Sequence, residues 1–300
     1  MRQKFLFILT IFLANQSIKC QNLKKKTLSD PSILIINGET APSDAFPFIV
    51  SLGLINQTSY RHRCGANIIS QDFILTAAHC VKDIGNDYDP QSYRRRTGKS
   101  LVIIAGTQSL NPLDSNKDTE IYLIQRISYN INYRSITDPF DIAILKTAKR
   151  ITFNSRVKTI SLPSTSNPAV VFGRKLTVVG WGITESGKLS TKLQMTAMTS
   201  INFMGLRGEC GGLDSKFYCM KDLTSDKSNA CYGDSGGPLI RMENNRWVLF
   251  GLTSFGQNDN DGNCLNNLPS FFTMVPSLLS WIRMQTQNSF SLKKQGLSLV

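Results

Sequence analysis

The sequence predicts an all-β fold, a sandwich or barrel, with one helix at the C-terminal end. Three observations lead there. From Phe46 onward, β-branched and aromatic runs recur at short spacing. Gly, Asn, Pro and Ser divide them, as turns divide strands rather than βαβ units. Helical periodicity is convincing only near the end, where Pro276–Asn288 sets Leu278, Leu279, Ile282 and Arg283 at three- and four-residue spacing behind a proline start.

The elements follow in order. Arg2 and Lys4 precede an apolar run from Phe5 to Ala14, and polar residues follow. That run is too short for a bilayer span of ~20 residues and has the layout of a secretory signal, assigned to residues 1–20 with cleavage after Cys20. The strand runs are Phe46–Gly53, Asn67–Ser70, Leu101–Gly106, Ile121–Ile127, Ile142–Leu145, Leu176–Gly182, Trp247–Phe255 and Ser270–Val275. Residues 83–100, rich in Asp, Asn, Tyr and Arg, form the longest stretch without a strand signal, a pattern of functional or disordered loops. Residues 289–300 read as a loose, basic tail. No run after the signal is apolar and long enough to cross a membrane, so the mature chain is expected to be soluble and exported.

The 300 residues carry a net charge of +13, but residues 1–34 contribute +5 of it, leaving +8 from Ile35 onward. Such a charge favours anionic partners. Apart from Arg94, Arg95, Arg96 and Lys99 the basic residues are scattered, and no nucleic-acid motif accompanies them, so nucleic acid is not an expected partner. Of seven cysteines, removal of Cys20 leaves six: Cys64, Cys80, Cys210, Cys219, Cys231 and Cys264. Spacing alone permits many pairings. With only two histidines and no two-residue cysteine spacing, a zinc site has little support.

Three segments carry chemistry together: Leu75-Thr76-Ala77-Ala78-His79-Cys80, Asp141-Ile142-Ala143-Ile144-Leu145 and Gly233-Asp234-Ser235-Gly236-Gly237-Pro238. A serine hydroxyl needs a base within hydrogen-bond reach to act as a nucleophile. Histidine titrates near neutrality, so it can take that proton and return it to a leaving amine. A buried aspartate fixes the histidine tautomer. In this order and context, the segments make the chain resemble the trypsin/chymotrypsin family of serine proteases from Ile35 to about Ile282.

The resemblance implies two six-stranded antiparallel β-barrels with a C-terminal helix, a protease domain over 35–288 and an activation propeptide over 21–34. It implies a catalytic triad of His79, Asp141 and Ser235, with Ser254 helping to hold the aspartate. The amides of Gly233 and Ser235 would form the oxyanion hole. Cleavage before Ile35 would free an ammonium to pair with Asp234, although Leu34 stands where relatives commonly carry Arg or Lys. His62 is either the family histidine that can hold Asp234 in the precursor or an exposed loop residue. The implied disulfides are Cys64–Cys80, Cys210–Cys219 and Cys231–Cys264.

For the specificity pocket the resemblance implies Asn229 at the floor, with Ala230, Gly256 and Ser270 in the walls and Tyr232 and Gln257 at the mouth. That pocket is neutral, polar at its base and constricted by Ser270. It suits uncharged medium-to-large residues rather than Arg or Lys. The segment between His79 and Gly106 is longer than in a minimal relative. It borders the cleft as a basic exosite or a restriction on substrates, or is a tolerated surface insertion. Asn56-Gln57-Thr58 is a glycosylation acceptor sequence. The stretch after Gly106 lacks an acidic pair for calcium, so neither a metal nor a cofactor is expected. Expected partners are a polypeptide substrate and protein protease inhibitors, with the enzyme itself a monomer. The rival reading is a silent homologue that binds without catalysis.

Overall fold

The computed structural model describes residues 35–110, 118–203 and 208–294, with side chains to residue 287. The expected signal (1–20), the propeptide (21–34) and residues 295–300 of the tail lie outside the described residues.

Six strands close into the first barrel: β2 (Ile49–Ile55), β3 (Tyr60–Ile68), β4 (Phe73–Thr76), β5 (Ser100–Ala105), β6 (Glu120–Tyr129) and β7 (Ala143–Thr147). Their order round the barrel is β2-β3-β4-β7-β6-β5, antiparallel throughout. Closure leaves no strand edge for another chain to extend. The second barrel is β8 (Lys175–Gly180), β9 (Gln194–Ser200), β10 (Phe217–Lys221), β11 (Pro238–Glu243), β12 (Arg246–Phe255) and β13 (Ser270–Met274), closed by the β8–β9 pair. A two-residue strand, β1 (Glu39–Thr40), adds to the outside of β9.

Inward-facing positions fill each barrel: Val50, Leu52, Ile68, Ile103 and Tyr122 in the first, Val178, Met198, Phe250 and Phe272 in the second. A third cluster, with Phe46, Phe48, Leu75, Ile144, Trp181, Leu249 and Ile282, glues barrel to barrel. Each such side chain contributes ~1.5–3 kcal/mol by leaving water. At the seam two backbones nearly touch. A Cβ placed on Gly65 of β3 would lie 2.9 Å from Gly237 Cα, and one on Gly236 would lie 2.2 Å from Thr76 Oγ1. Only glycine fits there.

Within the stretch that carried no strand signal, Pro90–Thr97 forms a helix, α1. Its signals are local. Asp89 caps the start by accepting from the Gln91 and Ser92 amides, Pro90 sits in the first turn, and Gly98 ends the helix at φ 68°. Tyr88 and Tyr93 pin it to the first barrel, their ring centroids 5.5 Å apart. At the C-terminal end Pro276 falls in a 3-10 turn, Val275–Leu278, and the helix proper, α2, spans Leu279–Lys294. It starts three residues after Pro276, the start expected from the sequence, and passes the expected end at Asn288.

Candidate active site

The site assembles where the barrels meet. His79 lies in a 3-10 turn, Ala78–Cys80, directly after β4, and Asp141 lies just before β7, the neighbour of β4. The Asp141 carboxylate is fully buried, where a charge is tolerated only with hydrogen-bond partners. It has three. His79 N donates to Oδ1 at 2.9 Å, His79 Nδ1 to Oδ2 at 2.7 Å and Ser254 Oγ to Oδ2 at 2.6 Å. The Asp141 backbone is held as well, its carbonyl accepting from Thr273 Oγ1 at 2.9 Å. A ring whose Nδ1–H is committed to a carboxylate presents Nε2 as the basic nitrogen.

Ser235 sits on the turn entering β11. That turn is pinned from both barrels: Gly65 N donates to the Ser235 carbonyl at 2.9 Å and Gly236 N to the Thr253 carbonyl at 2.7 Å. Gly233 and Gly236 take φ of 98° and 71°, in the left-handed region that glycine alone enters freely. Among the described residues no protein acceptor takes the Gly233 or Ser235 amide, so both are available to an external oxygen. His79 and Ser235 line one cavity of about 270 Å³, together with Ala230, Cys231, Ser254, Gly256 and Ser270. The grouping of Cys64, His79 and Cys80 resembles a metal-ligand set, but both sulfurs are joined in a disulfide and are not thiolate donors.

Asn229 does not line that cavity. It is buried, and every polar position on its amide is satisfied internally. Nδ2 donates to the carbonyls of Leu265 and Leu268, at 2.7 and 3.0 Å, while Oδ1 accepts from Ala230 N and from Ser270 Oγ. Ser270 therefore brings the polar base to the cavity. A Cβ on Gly256 would lie 3.2 Å from Ser270 Oγ, so the two residues face each other across a narrow space. At the mouth Asn258 Nδ2 donates to the Tyr232 hydroxyl, and it is Asn258 rather than Gln257 that lines the cavity beside Tyr232. Phe255 forms part of the wall, stacked on Phe271 at 4.7 Å.

Below the turn, Asp234 is fully buried. Its oxygens accept from Gly182 N (2.8 Å) and Cys231 N (3.0 Å), yet burial outweighs these bonds and raises its pKa to about 6. Gly180 and Gly182 make the slot, since a Cβ on either would collide with the carboxylate. Ile35 is fully buried, and the carbonyl of Ile36 accepts from Asn229 N at 3.1 Å. Asn37 N donates to Glu185 and Asn37 Nδ2 to the Asp226 carbonyl. The segment that follows residue 34 is thereby stitched to the stretch 226–229 leading into the cavity residue Ala230 on one side and to the loop after Gly182 on the other.

His62 is not an exposed loop residue, and its ring does not reach the Asp234 carboxylate. It is buried, with Nε2 donating to the Gly233 carbonyl at 3.0 Å and Nδ1 accepting from Ser51 Oγ at 2.7 Å. Tyr60 completes the relay by its hydroxyl bond to Ser51. Burial lowers the His62 pKa to about 4, so the ring is neutral at physiological pH. The partner it chose was not readable from its position in the chain, because the Gly233 carbonyl and Asp234 carboxylate are adjacent in sequence.

The three expected disulfides are formed: Cys64–Cys80, Cys210–Cys219 and Cys231–Cys264. The first ties β3 to the turn carrying His79, and the third joins two walls of the cavity. The Trypsin family model matches residues 35–282. The chain belongs to the trypsin family. Among curated proteins it is similar to Serine protease 28 of Mus musculus, 28% identical over 93% of this chain and 95% of that one. It is also similar to Transmembrane protease serine 11G of Rattus norvegicus, 30% identical over 84% of this chain; here the match spans about half, 55%, of the relative. Family membership supports a serine-type peptidase acting on polypeptides. Among the described residues no helix is long and apolar enough to cross a membrane.

Proposed function

We propose that the chain is a secreted serine endopeptidase made as an inactive precursor, with Ser235 as nucleophile, His79 as general base and acid, and Asp141 orienting the imidazole. One observation carries this reading: a buried Asp141 carboxylate grips His79 through both backbone and ring, and His79 shares its cavity with Ser235. In the proposed cycle His79 Nε2 takes the Ser235 proton as Oγ attacks the substrate carbonyl. The developing oxyanion turns toward the amides of Gly233 and Ser235, each such donor contributing ~3 kcal/mol of transition-state stabilisation. His79 then returns the proton to the departing amine, and water hydrolyses the acyl-enzyme by the same relay.

Cleavage before Ile35 is the proposed activation step, with the new ammonium moving to the Asp234 carboxylate. The contacts of Ile36 and Asn37 with Asn229, Asp226 and Glu185 support a coupling of that segment to the pocket. The proposed primary specificity is for uncharged residues such as Leu or Met, because among the described residues no acidic side chain lines the cavity. A fluorophosphonate probe tests the reading on chain processed to a free Ile35 terminus. Covalent labelling at Ser235 is expected. Its absence favours a silent homologue that uses the same cleft to bind.

A further inference from the structure

Helix α1 places Arg94, Arg95 and Arg96 in its last turn, with Lys99 just beyond, all four exposed. None forms an ion pair with a described residue. Arg95 donates to Ser92 Oγ and feels the Asp89 carboxylate at the start of α1, and Arg96 lies over the Tyr93 ring. One cation suffices to complement a helix C-terminus; three consecutive arginines, ~100° apart on the helix, surround it with charge. Beside them runs a groove of about 590 Å³ lined by Ile55, Asn56, Thr58, Arg94, Ser100 and Leu123 among others, with no acidic side chain. Its apolar part continues along the outer face of β6, where Ile121 and Leu123 are 45% and 49% exposed.

We propose that this groove and the arginine-rich end of α1 form a docking site for an acidic peptide segment bearing apolar side chains. Among the described residues Arg94 is the cation that lines the groove; Arg95 and Arg96 follow it on α1, and Lys99 stands in sequence between the lining residues Gly98 and Ser100. A polyanion read by charge alone needs a row of cations; this site instead pairs the arginine-rich end of α1 with Leu123 and Ile55. The location gives the segment a role. From the groove, β3 runs to Gly65, whose amide is bonded to Ser235, a distance on the order of 17 Å at the strand rise. The substrate cavity lies on the second-barrel side of Ser235, and β3 lies on the other. A polypeptide crossing Ser235 from the cavity leaves toward the groove, so the acidic segment belongs about five or six residues beyond the bond to be cut. This role rests on the reading of Ser235 as nucleophile; the docking itself does not.

Binding is therefore measured first without catalysis. The full chain carrying Ser235→Ala and Thr58→Ala, the latter removing the glycosylation sequence at the groove edge, is titrated with a fluorescent Glu-rich peptide containing two leucines. Anisotropy is expected to report saturable binding that weakens with salt. A triple Arg94→Glu, Arg95→Glu, Arg96→Glu variant should weaken it roughly tenfold or more. Leu123→Ser should weaken the leucine-containing peptide severalfold and leave an all-Glu peptide unchanged. In the active form, the same segment should raise kcat/KM when placed after the scissile bond and not before it. Absence of binding, tighter binding of a heparin oligosaccharide with no effect of Leu123→Ser, or rate enhancement from the wrong side each overturns the proposal. Failure of Ser235 to label strikes only the catalytic reading, because the anisotropy assay uses the Ser235→Ala chain.

Discussion

Ser270 Oγ donates to Asn229 Oδ1 at 2.7 Å, and this bond makes the floor of the cavity a closed internal network rather than a group held out to substrate. The Asn229 amide also supplies two donors to the carbonyls of Leu265 and Leu268. Asn229→Asp removes both donors and turns a carboxylate toward those carbonyls. The substitution is expected to lower stability by ~2–4 kcal/mol without creating a preference for Arg or Lys. Ser270→Gly should instead widen the cavity and admit larger rings. Thermal melts and a peptide library varied at the residue before the cut bond check both; strong Arg cleavage by Asn229→Asp would contradict the network's role.

Two buried groups beside the nucleophile turn give opposite pH dependences. Asp234 has its pKa raised from 3.8 to about 6, so between those values the folded chain holds more protons than the unfolded and stability falls as pH rises. His62 has its pKa lowered from 6.5 to about 4, so there the unfolded chain holds more protons and stability rises with pH. Each amounts to ~3 kcal/mol, and in the uncut chain they largely cancel. Asp234→Asn should therefore make stability climb more between pH 4 and 7 than in the unchanged chain, and His62→Gln should make it climb less. Urea titrations at the two pH values measure the difference. Parallel behaviour of the two variants would remove this account.

The proposed triad acts as a unit. Ser235→Ala should abolish acyl-enzyme formation and leave the melting temperature within about a degree, since one half-buried hydroxyl facing the cavity is lost. His79→Ala should lower kcat about as far, and the double variant little further. Multiplicative losses in the double variant would show that the two side chains act separately.

Helix α1 depends on its caps. Asp89→Ala leaves the Gln91 and Ser92 amides without their side-chain acceptor and should cost the helix ~1 kcal/mol. Because α1 lies outside both barrels, amide exchange should quicken at 92–98 while the strands keep their protection. Uniform acceleration over the first barrel would mean that Tyr88 and Tyr93 make α1 part of that barrel's cooperative unit.

Much of this was legible in the chain. The runs around β2, β5, β6, β7, β8, β12 and β13 announced strands because their buried faces are apolar. Strand β9 hid itself: its inward positions include Gln194, Thr196 and Ser200 while Met195 and Ala197 face the other way, so its polar and apolar residues are inverted relative to their burial. Helix α1 was obscured by a mean composition of Asp, Asn and Arg, although Asp89-Pro90 and Gly98 mark its ends. The residues proposed for catalysis stood out because their chemistry demands particular neighbours. Pocket details did not, since whether the Asn229 amide faces inward or outward is decided by Leu265 and Leu268, far along the chain. His62 shows the same limit. Its burial and its choice of the Gly233 carbonyl depend on how β3 lies against the second barrel.

The glycine contact between Gly65 and Gly237 has a bearing on quality control during synthesis. A slip of β3 by one residue would put Cys64 or Ala66 at the seam, and either side chain would hold the barrels apart. Such a chain could not close the cluster of Phe48, Trp181 and Leu249 and would leave it open to water, where folding surveillance finds it. A misregistered molecule is thus marked by exposed apolar surface and does not pass for a well-folded but inert one.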